Sequence, residues 1–301
     1  YEIQRCDWSS DVCSSDLLRL GDVLVLAVKS QDTEAALLDW ADRPVVGGGT
    51  AAQSLVLVCA QNGVDNERAA LRRFAQVLGM CVWLPATYLE PGTVQAIGAP
   101  VSGVLPIGRA AAVPAAPGGP RPGTDPLAGT IDAICADLGD AGFRAPFVPD
   151  VMAWKRAKLL SNLANAVEAL AGTVRDEDWR TLAARAVQEG HAVLEAAGQP
   201  PASDEEQRVH LADFEMRPGP DGRRGGGSSW QSLQRGAGSI ESDWLNGEIV
   251  LLGALHGVAT PVNALLQRRA RLALAAGAGA GTVPAAELLA ELDGTGASSP
   301  A

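Results

Sequence analysis

The apolar positions change their period about halfway along the chain. From Leu18 to Asp150, short apolar runs alternate with amphipathic stretches. Asp22–Lys29 (D-V-L-V-L-A-V-K) and Ser54–Ala60 (S-L-V-L-V-C-A) are continuous apolar runs of strand length, the mark of strands buried on both faces. Met80–Pro85 reads as a third strand. Thr33–Trp40 and Glu67–Val77 between them are helical. Strand, helix, strand, helix, strand predicts parallel pairing through right-handed crossovers. Val94–Ile97 and Val104–Ile107 are expected as antiparallel edge strands, residues 110–127 as a loop, Thr130–Leu138 as a helix and Phe143–Val148 as one more strand.

Beyond Asp150 the strand pattern stops. Helices are expected over Val151–Leu170 and Glu177–Ala197, with a third opened by the capping-box pair Ser203 and Glu206. Residues 217–228 read as a flexible loop. A helix follows from Ser229, broken near Gly236 and Gly238, and another runs over Glu241–Leu255. Thr260-Pro261 caps the last one. The division is therefore an α/β domain over 18–149, an all-helical domain over 150–276 and an Ala/Gly-rich flexible tail over 277–301. Residues 1–17 fit neither period. They repeat S-S-D and resemble translated adapter DNA, so they read as a non-native or disordered leader.

Composition narrows the function. The chain has 301 residues, 47% of them hydrophobic, and a net charge of −11. An acidic chain without a basic patch argues against nucleic acid. No apolar run is long enough to span a membrane. Five scattered Cys without C-x-x-C, and only three His, argue against a metal site and for a reducing cytoplasm.

Among 24 basic residues only Lys29, Lys155 and Lys158 are lysine. Lysine can give up its proton when its surroundings lower its pKa, whereas arginine cannot. Lys158, Asn162 and Asn165 fall within about 60° on one helix face, a narrow polar stripe on an otherwise apolar helix. A buried ammonium flanked by amides is a candidate proton donor. The competing reading is a surface stripe whose lysine reaches water. Lys155 lies some 60° away around the helix and is expected to be dispensable for the chemistry. Gln61-Asn62-Gly63 and Lys29-Ser30-Gln31 close the two apolar strands, where ligands collect in open parallel sheets. Asn62-Gly63 could equally be an ordinary tight turn, and Lys29 could meet a phosphate or simply be solvated. Ser229 and Glu241 could face one cleft, or serve as a cap and a solvated first-turn acid. No G-x-G-x-x-G follows a strand; Gly47–Gly49 and Gly225–Gly227 lack that context.

Taken together, D-V-L-V-L-A-V-K-S-Q-D-T, C-A-Q-N-G-V-D-N-E, A-T-Y-L-E-P-G-T-V, K-L-L-S-N-L-A-N, S-S-W…S-I-E-S-D-W-L-N-G and H-G-V-A-T-P-V-N resemble the ketopantoate reductase family, from about Gly21 to about Ala270. The resemblance implies a Rossmann-like NADP domain, followed by a helical domain. It implies NADPH-dependent reduction of a 2-oxo acid, 2-dehydropantoate first, in a cytoplasmic, homodimeric enzyme. By motif position Lys158 and Glu241 take catalytic roles, and Asn62, Asn162, Asn165 and Ser229 bind substrate. Lys29, Asn62 and Glu241 contact the cofactor, and no metal is implied. A complete member would carry the glycine loop and further strands before Asp22, so the first domain is expected to be incomplete. Ala166 stands where a second amide is usual, Trp230 replaces a methionine and Leu233 an aspartate. These departures leave the particular 2-oxo acid open. A related two-domain 2-hydroxy-acid dehydrogenase, or a non-catalytic fragment, are the alternatives.

Overall fold

A computed structural model of the protein describes residues 17–88, 92–111, 126–217, 226–236 and 238–296. The expected leader, up to residue 16, lies outside the described residues, as do most of the loops expected at 110–127 and 217–228.

The first domain contains β1 (Leu18–Arg19), β2 (Val23–Leu26), α1 (Thr33–Ala41), β3 (Val45–Val46), α2 (Ala51–Ser54), β4 (Val56–Cys59), α3 (Asn66–Leu71) and β5 (Gln76–Met80). It continues with β6 (Ala86–Thr87), β7 (Gln95–Ala96), β8 (Gly98–Ala99), β9 (Ile107–Arg109) and α4 (Ala128–Asp140). The main sheet has the order β2-β4-β5-β9, parallel except for β9. Side chains alternate across it. Leu57 and Cys59 pack with α1 and α2 residues, and Val56 and Val58 pack with Ile131 of α4. β2 is the edge strand, so Val25 is 60% exposed rather than buried on both faces.

Several boundaries differ from the sequence reading. The helix expected over Glu67–Val77 ends at Leu71, and the strand expected over Met80–Pro85 starts at Gln76. Pairing with β4 sets that start, because Gln76 stands opposite Val56. Gly79 permits it: a Cβ there would lie 3.0 Å from Val151 Cγ1 of the next domain. The segment around Val94–Ile97 pairs with β6 in its own ribbon, away from the main sheet. Phe143–Val148 makes isolated bridges to Val104 and Ile107 instead of a strand.

The second domain is helical: α5 (Val151–Asn162), α6 (Ala164–Ala171), α7 (Glu177–Ala196), α8 (Asp204–Leu211), then the short strand β10 (Glu215–Met216). It is completed by α9 (Ser228–Gln234), α10 (Asn246–His256), α11 (Pro261–Ala275) and α12 (Ala285–Gly296). The Ser203–Glu206 capping box and the Thr260-Pro261 start form as expected. Strand β10 pairs with β8 of the first domain. The single helix expected over Val151–Leu170 is two. Leu163 shares its N–H between the Leu159 and Leu160 carbonyls, while its own carbonyl accepts from Asn246 Nδ2 at 3.1 Å. A side chain entering the ladder breaks the helix there. The expected tail also changes: α12 packs Ala285 and Leu288 into the core of the helical domain. Its acids Glu287 and Glu291 pair with Arg269 and Arg268 of α11.

One buried ion pair joins the domains. Lys155 of α5 and Glu67 of α3 are 2% and 1% exposed and bonded to each other. Lys155 Nζ also donates to the Gln61 carbonyl at 2.9 Å. Burial pushes the Glu67 carboxyl above its usual range, and Lys155 pulls it back. Lys155 is therefore a buried structural residue. Removing one partner of a buried pair leaves a stranded charge. Lys155→Ala is expected to lower stability by about 3–5 kcal/mol, read from urea unfolding, and Lys155→Met with Glu67→Gln should recover part of the loss.

Candidate active site

The C-terminal ends of β2 and β4 face α5, α6 and α9. A cavity of about 500 Å³ opens between them. Asn62, Lys158, Asn162 and Asn165 line it, so four of the residues singled out by sequence meet in one place. Trp83, Trp179 and Phe214 contribute aromatic wall, and Glu168, Arg175 and Ser228 contribute polar wall.

Lys158 is half-buried. Its ammonium lies 5.1 Å from the centroid of the Trp83 ring, within cation–π range. No described residue gives it a hydrogen-bond acceptor, unlike Lys155 and Lys29. Burial lowers its pKa to about 8, against smaller opposing effects of Cys81 and Glu241. Asn162, at the end of α5, has a buried Nδ2 without a partner. Buried polar atoms are normally paired, so this donor is placed for a ligand.

Asn62 is held by a relay. Glu241 accepts from the Ser30 N–H at 3.2 Å and from its hydroxyl at 3.1 Å. Ser30 Oγ accepts from Asn66 Nδ2 at 3.2 Å, which also donates to the Asn62 carbonyl at 2.9 Å. Thr33 closes the group, donating to Asn66 Oδ1 at 2.7 Å and accepting from Gln61 Nε2 at 2.8 Å. Gly63 follows at φ 78°, and a Cβ there would stand 3.1 Å from the Trp244 carbonyl. The Asn-Gly turn therefore serves both conformation and domain contact.

Three expected site residues do not line the cavity. Glu241 is buried on Ser30; it reaches the site through the relay and through its charge, which slightly opposes the lowering of the Lys158 pKa. Lys29 Nζ is occupied by Ser232 Oγ at 2.7 Å and the Ser239 carbonyl at 3.4 Å. Burial lowers its pKa, opposed by Glu241. Ser229 is buried and does not line the cavity, and its neighbour Ser228 lines it instead. A helix turns about 100° per residue, so a motif fixes the helix more firmly than the face. Sequence reasoning missed Asn66, Glu67 and Glu168, and gave Ser30 and Lys155 no structural role. Asn66 was within the quoted Q-N-G-V-D-N string, but buried partners leave no local pattern.

Parallel strands ending at a helical domain across a lysine-bearing cavity define the two-domain dehydrogenase layout. The model described as ketopantoate reductase PanE/ApbA matches residues 8–110, and that described as ketopantoate reductase PanE/ApbA C terminal matches residues 150–273. The chain belongs to the ketopantoate reductase family. Among solved structures it is similar to a PanE/ApbA family ketopantoate reductase from Ralstonia eutropha JMP134, at 26% identity and a TM-score of 0.64, over 85% of this chain and 76% of that one. In fold it is also similar to a D-mandelate dehydrogenase with NADH and anilino(oxo)acetate, at 18% identity and a TM-score of 0.66, over 86% and 77%. A dimeric ketopantoate reductase from Staphylococcus aureus matches at 16% identity and a TM-score of 0.60, over 87% and 81%. No curated protein sequence matches. Among the described residues no helix is long and apolar enough to cross a membrane, and no cluster of metal-ligating side chains occurs.

The lowered pKa can be measured directly. With lysines reductively ¹³C-methylated, the resonance missing from Lys158→Arg should titrate near 8. A midpoint above 10 would show that the ammonium is fully solvated.

Proposed function

We propose that the chain reduces a 2-oxo acid with NADPH, converting 2-dehydropantoate to (R)-pantoate, a step in pantothenate biosynthesis. The observation that carries this reading is the Lys158 ammonium, without a hydrogen-bond acceptor among the described residues, sharing one cavity with Asn62 and Asn162. Gln31 Oε1 and Gln61 Oε1 are buried at the ends of β2 and β4 without a described partner, but neither residue lines the cavity, whereas Asn62 does. Asn62 would hold the nicotinamide end of the cofactor. When bound, the reduced dinucleotide supplies the hydride. The preference for NADPH rests on family resemblance.

In this reading Lys158 hydrogen-bonds the keto oxygen, stabilises the charge that develops there and then protonates it. Asn62 and Asn162 fix the carbonyl for attack. Glu241 is a positioning residue, acting on Asn62 through Ser30 and Asn66. Lys29 ties the end of β2 to α9 and so keeps the cavity closed on that side. The aromatic wall excludes water and covers the apolar body of the substrate. By likeness to the dimeric S. aureus protein, the assembly is a homodimer.

Steady-state rates test the assignment. Lys158→Ala should lower kcat by about 10²–10⁴-fold. Lys158→Arg should fail to rescue it, because a guanidinium keeps its proton. Only the protonated amine can donate, so kcat/KM should be level below pH 8 and fall as pH rises through about 8. Undiminished turnover in Lys158→Ala would remove lysine from the mechanism. A panel containing 2-dehydropantoate, phenylglyoxylate and pyruvate decides the substrate.

A further inference from the structure

Glu168 is a buried carboxylate in a cavity proposed to take an anion, and the mechanism leaves it unused. It is 8% exposed and lines the cavity from α6. Its Oε2 accepts the Gly227 N–H at 3.0 Å. Its Oε1 accepts from no described residue, yet it is not among the fully buried unpartnered atoms, so it stays within reach of a ligand. Asn165 Oδ1 faces the same corner: a Cβ on Gly227 would lie 2.9 Å from Glu168 Oε2 and 3.2 Å from Asn165 Oδ1. The corner therefore presents acceptors and negative charge.

A substrate carboxylate would be repelled there, and an apolar group would leave the carboxylate desolvated without a partner. A hydrogen-bond donor on the substrate body fits. Arg175 also lines the cavity, its guanidinium 4.9 Å from the Trp179 ring centroid, so the lining carries both signs of charge and a neutral donor suffices. We propose that Glu168, with Asn165, is the specificity-determining site for a hydroxyl group carried by the 2-oxo acid away from its reacting carbonyl. This rests on the 2-oxo acid reading and assigns the residues that would read the substrate's hydroxyl, with 2-dehydropantoate as the probe.

The test compares three ligand bodies: 4-hydroxy-3,3-dimethyl, its 4-methoxy ether, and 3,3-dimethyl with no oxygen at C4. Binding of the three 2-hydroxy acids to the 301-residue chain is measured by calorimetry, and reduction of the three 2-oxo acids with NADPH by absorbance. The wild type should bind the 4-hydroxy compound about 10–100-fold tighter than the compound without oxygen, the range of one charge-assisted hydrogen bond. Glu168→Gln keeps an oxygen for Gly227 N–H and turns an NH₂ toward the ligand. It should lose most of that preference while gaining affinity for the methoxy ether, which can only accept. An unchanged melting temperature confirms that the variant is folded. Equal weakening of all three ligands would make Glu168 merely structural, and a wild type that does not discriminate would overturn the proposal outright. Discrimination in binding without any reduction would instead sink the reductase reading and leave the hydroxyl site standing.

Discussion

The ion pair between Lys155 and Glu67 governs the geometry of everything near it. Two charges almost wholly removed from water tolerate only one arrangement, since any slippage leaves both desolvated without compensation. The same ammonium holds the Gln61 carbonyl at the end of β4. It therefore fixes the rotation of α5 against the strand end that carries Asn62. Lys158 stands three residues further along that helix and shares the cavity with Asn62. Arg68, bonded to Glu248 of α10 at 3.0 Å, adds a second cross-domain pair beside it.

Desolvation then does different work at each lysine. Lys155 has a carboxylate in contact, whereas Lys158 has an aromatic face and no acceptor. An aromatic ring attracts a cation but compensates less for lost water than a carboxylate does. Burial consequently lowers the pKa of Lys158, and the proton becomes available near neutral pH. One turn of helix is enough to separate a brace from a candidate acid.

Much of the architecture was legible because it depends on local pattern. Continuous apolar runs marked β2 and β4, and Ser203, Glu206 and Pro261 marked helix starts. Strand ends and helix faces offered Asn62, Lys158, Asn162 and Asn165 as candidates, the family resemblance put them in one site, and they line one cavity. What was not legible is decided by tertiary partners. Asn246 interrupts the helix at Leu163, and Leu288 turns an Ala/Gly-rich tail into a packed helix. Lys155 reads like any polar helix position until Glu67, 88 residues away in sequence, is brought against it. Ser229 and Ser228 differ by one residue, and only packing decides which of them lines the cavity.

The three lysines of an arginine-rich chain end on one seam. Lys29 reaches Ser232 across it, Lys155 reaches Glu67, and Lys158 opens into the cavity between the same elements. Each place has a physical reason to exclude arginine. A guanidinium is a wide planar fork that needs several in-plane acceptors, and the Lys155 pocket offers one carboxylate and one carbonyl. Ser232 and the Ser239 carbonyl, on different sides of a glycine-rich turn, suit the compact tetrahedral donor of Lys29. At Lys158 the exclusion is chemical, since only an amine can shed its proton there. The scarcity of lysine, visible in composition alone, thus marks where the domains close and where a proton can be moved.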